Sequence, residues 1–219
     1  TFLYTPSGAR TDRIDKFPFS ADGNASDIAN LAAAVSYAGG NSSSTHGYCT
    51  GGSKDPSPPG PPYTRVADEI QKYSFSSDGN ASDVANLLSQ QIRLSGQSSP
   101  THGYASGGGG TSGTNVIQKF TFASDANATD VGDLSETGIQ RQTSGSSSSS
   151  NGYVAGGSGT ISNPGKKSKI DKFPFSSDTN ATDVGELLTN NYYGTGQSST
   201  TDGYTSGGNT PPASNVIQK

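Results

Sequence analysis

Ile14 to Leu31 reads IDKFPFSADGNASDIANL, and the same string returns with small changes as IQKYSFSSDGNASDVANL from Ile70, IQKFTFASDANATDVGDL from Ile117 and IDKFPFSSDTNATDVGEL from Ile170. Ile217-Gln218-Lys219 opens a fifth occurrence. Recurrence at roughly 50 residues is the mark of a repeat architecture, in which one supersecondary unit is copied and its neighbours bury what it cannot bury alone. The spacing varies between copies, which places the insertions in the connecting loops.

A second motif precedes the first: GYCTGG from Gly47, GYASGG from Gly103, GYVAGG from Gly152 and GYTSGG from Gly203. Leu3 to Gly8, LYTPSG, reads as a degraded first copy. The units expected are 1–39, 40–95, 96–143, 144–195 and 196–219. The N-terminal piece, with LYTPSG and then the aromatic strand from Ile14, and the C-terminal piece, Gly203 to Lys219, each carry both motifs, so they do not merge into one closing unit. Five blades with incomplete terminal ones, or part of a larger array, are expected.

Within a unit, the aromatic and β-branched content of Ile14 to Phe19 favours a strand. Ser-Asp-Gly-Asn or its variant supplies the turn, and Ser/Thr-Asp-Ile/Val resumes a short strand toward the leucine. The Gly-Tyr-x-x-Gly-Gly segment adds another strand, read as an inner one. The fold class is all-β: tandem small antiparallel sheets, stacked on one another because none buries both faces alone, in a β-propeller-like arrangement.

Composition agrees. Only 28% of residues are apolar, too few for one deep core, while 30 Gly and 12 Pro describe frequent turns. The net charge is −4 and the 14 Lys and Arg are scattered, which leaves no basic stripe for a phosphate backbone and excludes nucleic acid as the expected partner. No run approaches the length of a membrane helix, so membrane insertion is not expected. Thr1-Phe2-Leu3-Tyr4 lacks the features of a signal peptide. Cys49 is the single cysteine, and its counterparts Ala105, Val154 and Thr205 make it a small strand residue.

The order of a Gly-Gly-ended strand, a variable loop, an aromatic strand, an Asp/Asn turn and a short strand resembles the kelch repeat of β-propellers. The tryptophan of that repeat is absent here, its place taken by Val or Ile and Leu. The fuller pattern FPFSSDTNATDVGEL followed by GYTSGG is closest in letters to repeat arrays in predicted marine bacteriophage proteins, some of them tail-fibre-like. That resemblance implies a structural or adhesive role on a virion.

Candidate chemistry is sparse. His46 and His102 are replaced by Asn151 and Asp202 in the other units, so the position behaves as a polar turn residue. The serines form tracts without a catalytic elbow, and Gly107 to Gly110 lacks the lysine of a phosphate loop. The chain is therefore expected to be no enzyme and to need no cofactor. Calcium is the one metal considered, with oxygen ligands from the repeated turn: Asp22, Asn24 and Asp27; Asp78, Asn80 and Asp83; Asp125, Asn127 and Asp130; Asp178, Asn180 and Asp183. The competing reading is that Asp and Asn serve the turn itself. Asn24, Asn80, Asn127, Asn180 and Asn41 also head N-x-Ser/Thr sequons, which carry glycans only in a secretory eukaryotic setting. Lys16, Lys72, Lys119 and Lys172 are read as solvated or inter-blade residues, and Tyr48, Tyr104, Tyr153 and Tyr204 as packing residues.

Recognition is expected in the stretches that vary: Ala32 to Gly39, Ser53 to Ala67, Leu88 to Ser95, Ser135 to Thr143, Gly157 to Lys169 and Thr189 to Thr195. Tyr37, Tyr192 and Tyr193 are the aromatic candidates for stacking on a saccharide. The function expected is a non-catalytic, extracellular or virion-associated structural or adhesion protein that binds surface glycans or another structural protein, with assembly into homo-oligomers or larger structures. The alternatives are a secreted propeller-type carbohydrate-active enzyme domain and an intracellular protein-interaction propeller.

Overall fold

The computed structural model describes residues 10–54, 65–109, 114–136, 142–159, 165, 167–209 and 215–219. Leu3 to Gly8, read above as a degraded copy, lies outside them. The described chain is all-β. Its first strands are β1 (Thr11–Lys16), β2 (Ser26–Ser36), β3 (Gly39–Ser42), β4 (His46–Lys54), β5 (Arg65–Ser74) and β6 (Ser82–Asn86). β7 (Ser95–Ser98), β8 (His102–Ser106), β9 (Val116–Thr121) and β10 (Thr129–Asp133) form the next unit. Then come β11 (Ser144–Ser147), β12 (Asn151–Ala155), β13 (Lys169–Pro174) and β14 (Thr182–Glu186), and last β15 (Thr195–Ser198), β16 (Gly203–Ser206) and β17 (Ile217–Gln218).

These strands make four small antiparallel sheets arranged as the blades of a β-propeller, not five. Two are complete meanders, β7 to β10 and β11 to β14, and β15 to β17 form a three-stranded sheet. The half-unit β1–β2 does not stand alone. Ala32 to Ser36, expected as loop, continues β2, and Val35 and Ser36 pair with Lys54 and Ser53 of β4, which fuses the half-unit to the first sheet. An uninterrupted run of Leu, Ala and Val without Gly or Pro lets the strand continue where other units turn.

In each sheet the inner strand is the short Gly/Asn/Gln/Ser segment. The tyrosine-bearing strand, expected to be innermost, is the second strand. The reason is space at the axis: a Cβ on Gly96 would lie 2.1 Å from the Gly40 carbonyl oxygen, and one on Gly196 would lie 2.1 Å from that of Gly145. Only strands stripped of side chain approach so closely. Both residues of the Gly-Gly pair are left-handed: Gly107 (φ 65°) and Gly108 (φ 88°) follow the end of β8, whereas Gly51 (φ 61°) and Gly52 (φ 105°) shift the register within β4, which runs on to Lys54.

The pleat decides what each blade face carries, since successive residues on a strand point to opposite faces. In the second unit Gly103 opposes Phe120, and Tyr104 opposes Lys119. The Phe120 ring lies across Gly103 on the face toward the preceding unit, while Tyr104 and Lys119 look toward the following one. Tyr48 accordingly meets Phe120 and Phe122 of the next unit at ring-centroid distances of 5.5 and 4.8 Å. Tyr104 meets Phe173 and Phe175 at 5.4 and 4.8 Å. The apolar clusters therefore sit between units. One joins Tyr48, Ile70 and Leu94 to Phe120, and another joins Tyr104, Ile117 and Leu134 to Phe173.

Polar contacts repeat alongside. Lys16 pairs with Asp78 at 2.7 Å, Lys72 with Asp125 at 2.8 Å and Lys119 with Asp178 at 2.5 Å. The acidic partner is about half exposed in each, so each pair contributes only ~0.2–1 kcal/mol. Burying a ring contributes ~2–3 kcal/mol, so aromatic packing dominates the interface and the ion pairs tune it. Asn80, Asn127 and Asn180 accept the backbone N–H of Asn30, Asn86 and Asp133 across the same boundaries. The residue after each unit's leading isoleucine reaches back as well: Gln71, Gln118, Asp171 and Gln218 accept backbone N–H bonds from Ala33, Leu88, Ser135 and Leu188.

Candidate binding site

Four non-glycine residues among those described have positive φ: Tyr37 (59°), Arg93 (61°), Gln142 (61°) and Tyr193 (63°). They occupy one equivalent point in successive units, just ahead of inner strands that begin at Gly39, Ser95, Ser144 and Thr195. The left-handed conformation costs a non-glycine residue about 1–2 kcal/mol. Here each unit holds the next in place. The amide of Arg93 donates to the Tyr37 carbonyl at 2.8 Å, that of Gln142 to Arg93 at 2.9 Å, and that of Tyr193 to Gln142 at 3.0 Å. The result is a backbone ladder across the units on which four unlike side chains are displayed.

Those side chains interact. The Arg93 guanidinium carbon lies 5.1 Å from the centroid of the Tyr37 ring, a cation–π arrangement. Gln142 accepts a hydrogen bond from the Ser158 hydroxyl at 3.1 Å. Tyr192 packs its ring 5.2 Å from that of Tyr193. Tyr37 and Tyr193 keep 41% and 46% of their surface in solvent, enough to offer a ring face to a ligand. The three tyrosines singled out from the sequence thus fall on this ladder or beside it, at its two ends. Arg93 and Gln142, between them, were not singled out. The signal was an equivalent position two residues ahead of each Gly/Ser strand, hidden because its four occupants share no chemistry.

At the opposite end of the inner strands lies a cavity of about 690 Å³ shared by all four units. Asn41, Ser42, Gln97, Ser98, Ser147 and Gln197 are on its wall, and no charged side chain lines it. Serine hydroxyls lace the strands together there: Ser98, Ser147 and Ser198 accept the backbone N–H of Ser42, Ser98 and Ser147 respectively.

The remaining sequence candidates have other tasks. Asp78, Asp125 and Asp178 pair with lysines, and Asn80, Asn127 and Asn180 accept backbone N–H groups. Asp130 and Asp183 accept the amides of Gly132 and Gly185 within their own strands. Asp22 and Asn24 occupy the exposed turn of the first hairpin, Asp27 lies on β2 opposite Asp15, and Asp83 lies on β6. Among the described residues no group of three or more His, Cys, Asp or Glu side chains is placed to hold a metal ion. Asn24, Asn80, Asn127 and Asn180 are exposed. Asn41 is not: its side-chain amide donates to the carbonyls of Gln97 and Tyr104 at 2.6 and 2.9 Å, so the nitrogen a glycan would take is committed to holding the inner strands together.

His46 and His102 each bond the hydroxyl of the preceding threonine, at 2.8 and 2.9 Å, and Asp202 does the same with Thr201. Burial, with the charge of Lys119, lowers the His102 pKa, which favours the neutral imidazole. Burial alone pushes the Cys49 thiol up to about 12. The raised value leaves the Cys49 thiol protonated near neutral pH.

No protein-family model matches the chain, and no curated protein matches it as a relative.

Proposed function

We propose that the chain is a non-catalytic recognition scaffold of the cell or virion exterior that binds surface glycans through the ladder Tyr37, Arg93, Gln142 and Tyr193. The observation that carries this reading is the left-handed ladder. Its backbone geometry is repeated and held by bonds between units, while its side chains differ, so a rigid frame presents a variable surface. Tyrosine faces suit the apolar faces of sugar rings, and the guanidinium of Arg93 and amide of Gln142 supply directional donors for hydroxyls. The wide polar cavity at the other end of the inner strands offers hydroxyl and amide groups of the same kind. A Ser/Thr/Gly-rich, sparsely charged surface suits an external setting, and the kelch-like and tail-fibre-like resemblances point the same way. The histidines tied to threonine hydroxyls favour recognition over catalysis.

The test is a glycan array followed by calorimetry on the hits. Binding that falls about tenfold or more in Tyr193→Ala and Arg93→Ala, with the fold unchanged by circular dichroism, is the expected result. An array with no hits, or hits indifferent to both substitutions, overturns the reading.

A further inference from the structure

Lys16, Lys54, Lys72, Lys119 and Lys167 are each neutralised by an aspartate or glutamate of this chain. Arg93 is not. Among the described residues no carboxylate pairs with its guanidinium and no oxygen accepts its side-chain N–H groups; its contact is the Tyr37 ring, 5.1 Å from the guanidinium carbon to the ring centroid. A ring attracts and orders the cation without taking up its hydrogen-bond donors. Nε is covered, while the two terminal nitrogens of Arg93 are open to solvent.

Arg93 and Gln142 are the middle rungs of the left-handed ladder, with a unit on either side of each. The Arg93 amide donates to the Tyr37 carbonyl and the Gln142 amide to the Arg93 carbonyl, so the outward oxygens of these rungs are already taken by the ladder. Rungs joined by such bonds stand about 5 Å apart, the spacing of paired strands. The Gln142 side chain is oriented by Ser158, whose hydroxyl donates to its carbonyl oxygen at 3.1 Å. Its NH2 group is left unburied and without a hydrogen-bond partner among the described residues. Two neighbouring rungs therefore offer a fixed cation and an amide NH2, donors both.

A sugar hydroxyl that accepts from such a pair still has its own hydrogen to place. A carboxylate or sulfate carries acceptors only and leaves nothing unsatisfied. The guanidinium fork also grips an oxyanion through two parallel N–H···O bonds, each about twice as strong as a bond between neutral groups. We propose that the saccharide bound by this ladder is anionic, its carboxylate or sulfate held by the terminal nitrogens of Arg93 and by the Gln142 amide. The inference rests on the reading of the ladder as a glycan site and adds the class of glycan. The acidic group docks on the middle rungs, and the sugar rings that carry it lie along the tyrosine faces.

Calorimetry of the 219-residue protein tests this with two matched pairs: an oligogalacturonide against its methyl ester, and a sulfated galactan oligosaccharide against its unsulfated parent. Each pair shares its rings and differs in charge. The acidic member of at least one pair should bind about tenfold or more tightly than its neutral twin, and which pair responds identifies the oxyanion. The preference should shrink as salt is raised. Arg93→Gln should remove it. The fold accommodates this change because the next unit already carries Gln142 at the same rung, and circular dichroism checks that it does. Arg93→Lys, which keeps the charge but not the fork, should retain only part of the preference. Acidic and neutral twins that bind alike, with both weakened by Tyr193→Ala, overturn the inference and leave the glycan reading standing. Saccharides that bind in neither form overturn both. An acid preference that survives Arg93→Gln, or an acidic peptide bound as tightly as the preferred saccharide, overturns the inference as well.

Discussion

Tyr104 stacks on Phe175 of the next unit with ring centroids 4.8 Å apart and planes inclined by 21°, and Tyr48 stacks on Phe122 with the same separation and tilt. A contact reproduced so closely at two boundaries is the element that sets how one blade sits on the next. Tyr104→Ala or Tyr48→Ala should therefore destabilise the protein by ~3–4 kcal/mol. Tyr153→Ala, whose ring has no such pair among the described residues, should cost well under half of that. Urea denaturation of the three variants, at a concentration where the protein is monomeric, checks the contrast. Equal losses in all three would mean that the ring pairs do not govern docking.

Glycine at the axis makes a sharper pair. Gly96→Ala puts a methyl 2.1 Å from a backbone oxygen, whereas a Cβ on Gly40 meets nothing within 4 Å. Overpacking against backbone should cost Gly96→Ala ~1–3 kcal/mol. Gly40→Ala should stay within about 0.5 kcal/mol of the parent. The urea midpoints of the two single variants decide this.

The left-handed ladder predicts an unusual preference. Replacing Gln142 by glycine relieves a conformational cost of ~1 kcal/mol and should leave stability unchanged or raised, even though a side chain is lost. Gln142→Val, β-branched at the same φ, should lower stability by more than 1 kcal/mol or so. Thermal melts of both variants measure the difference, and a valine variant as stable as the glycine variant would remove the strain from the account.

The hydrogen bond to Asp125 raises the Lys72 pKa above its ordinary value of 10.5. A folded-state value above the unfolded one means that the contribution of the pair is complete below about pH 10.5 and fades as pH climbs through the folded value. Lys72→Met should lower stability by ~0.2–1 kcal/mol at neutral pH, and the deficit should shrink in high salt and at strongly alkaline pH. Paired urea titrations at neutral and alkaline pH show whether the deficit closes.

Cys49 offers a reading of global opening. Its thiol is pushed from an ordinary value of 9.0 up to about 12 by burial, so at pH 8 its thiolate population is about a thousandfold below that of an ordinary cysteine. Iodoacetamide should label it slowly in buffer and rapidly in urea, followed by intact mass. Similar rates under both conditions would show that the strand around Cys49 opens without unfolding.

Much of the fold is readable from repetition. The recurrence of Ile14 to Leu31 and of Gly-Tyr-x-x-Gly-Gly yields an all-β, propeller-like row of small antiparallel sheets, because copies in one chain must solve the same packing problem, but it counts five units where fusion of β1–β2 to the first sheet leaves four. The assignment of the innermost strand and the fate of Ala32 to Ser36 are not readable. The first is decided by the crowding of Gly96 and Gly196 against neighbouring backbone, and the second by whether Val35 finds Lys54, both contacts distant in sequence. The candidate site was half visible. Tyr37 and Tyr193 stand out as aromatics, but Arg93 and Gln142 share with them only a backbone conformation, and alignment by residue type does not detect a common φ. The buried role of Gln71, Gln118 and Asp171 was overlooked for the opposite reason: a polar residue inside an aromatic strand reads as solvent-facing when both faces of the blade are in fact covered.

The serine hydroxyls, glycine contacts and left-handed ladder all link each inner strand to the next by rules that mention no particular unit. A whole copy inserted or removed at a boundary therefore meets matching partners on both sides, while a deletion inside a copy breaks several contacts at once. Such a chain lengthens or shortens in steps of one unit with little disturbance to its neighbours, and each added step contributes one more freely chosen side chain to the row begun by Tyr37. Genetic duplication in this protein is then a route to new length and, under the proposed reading of the ladder, to new recognition.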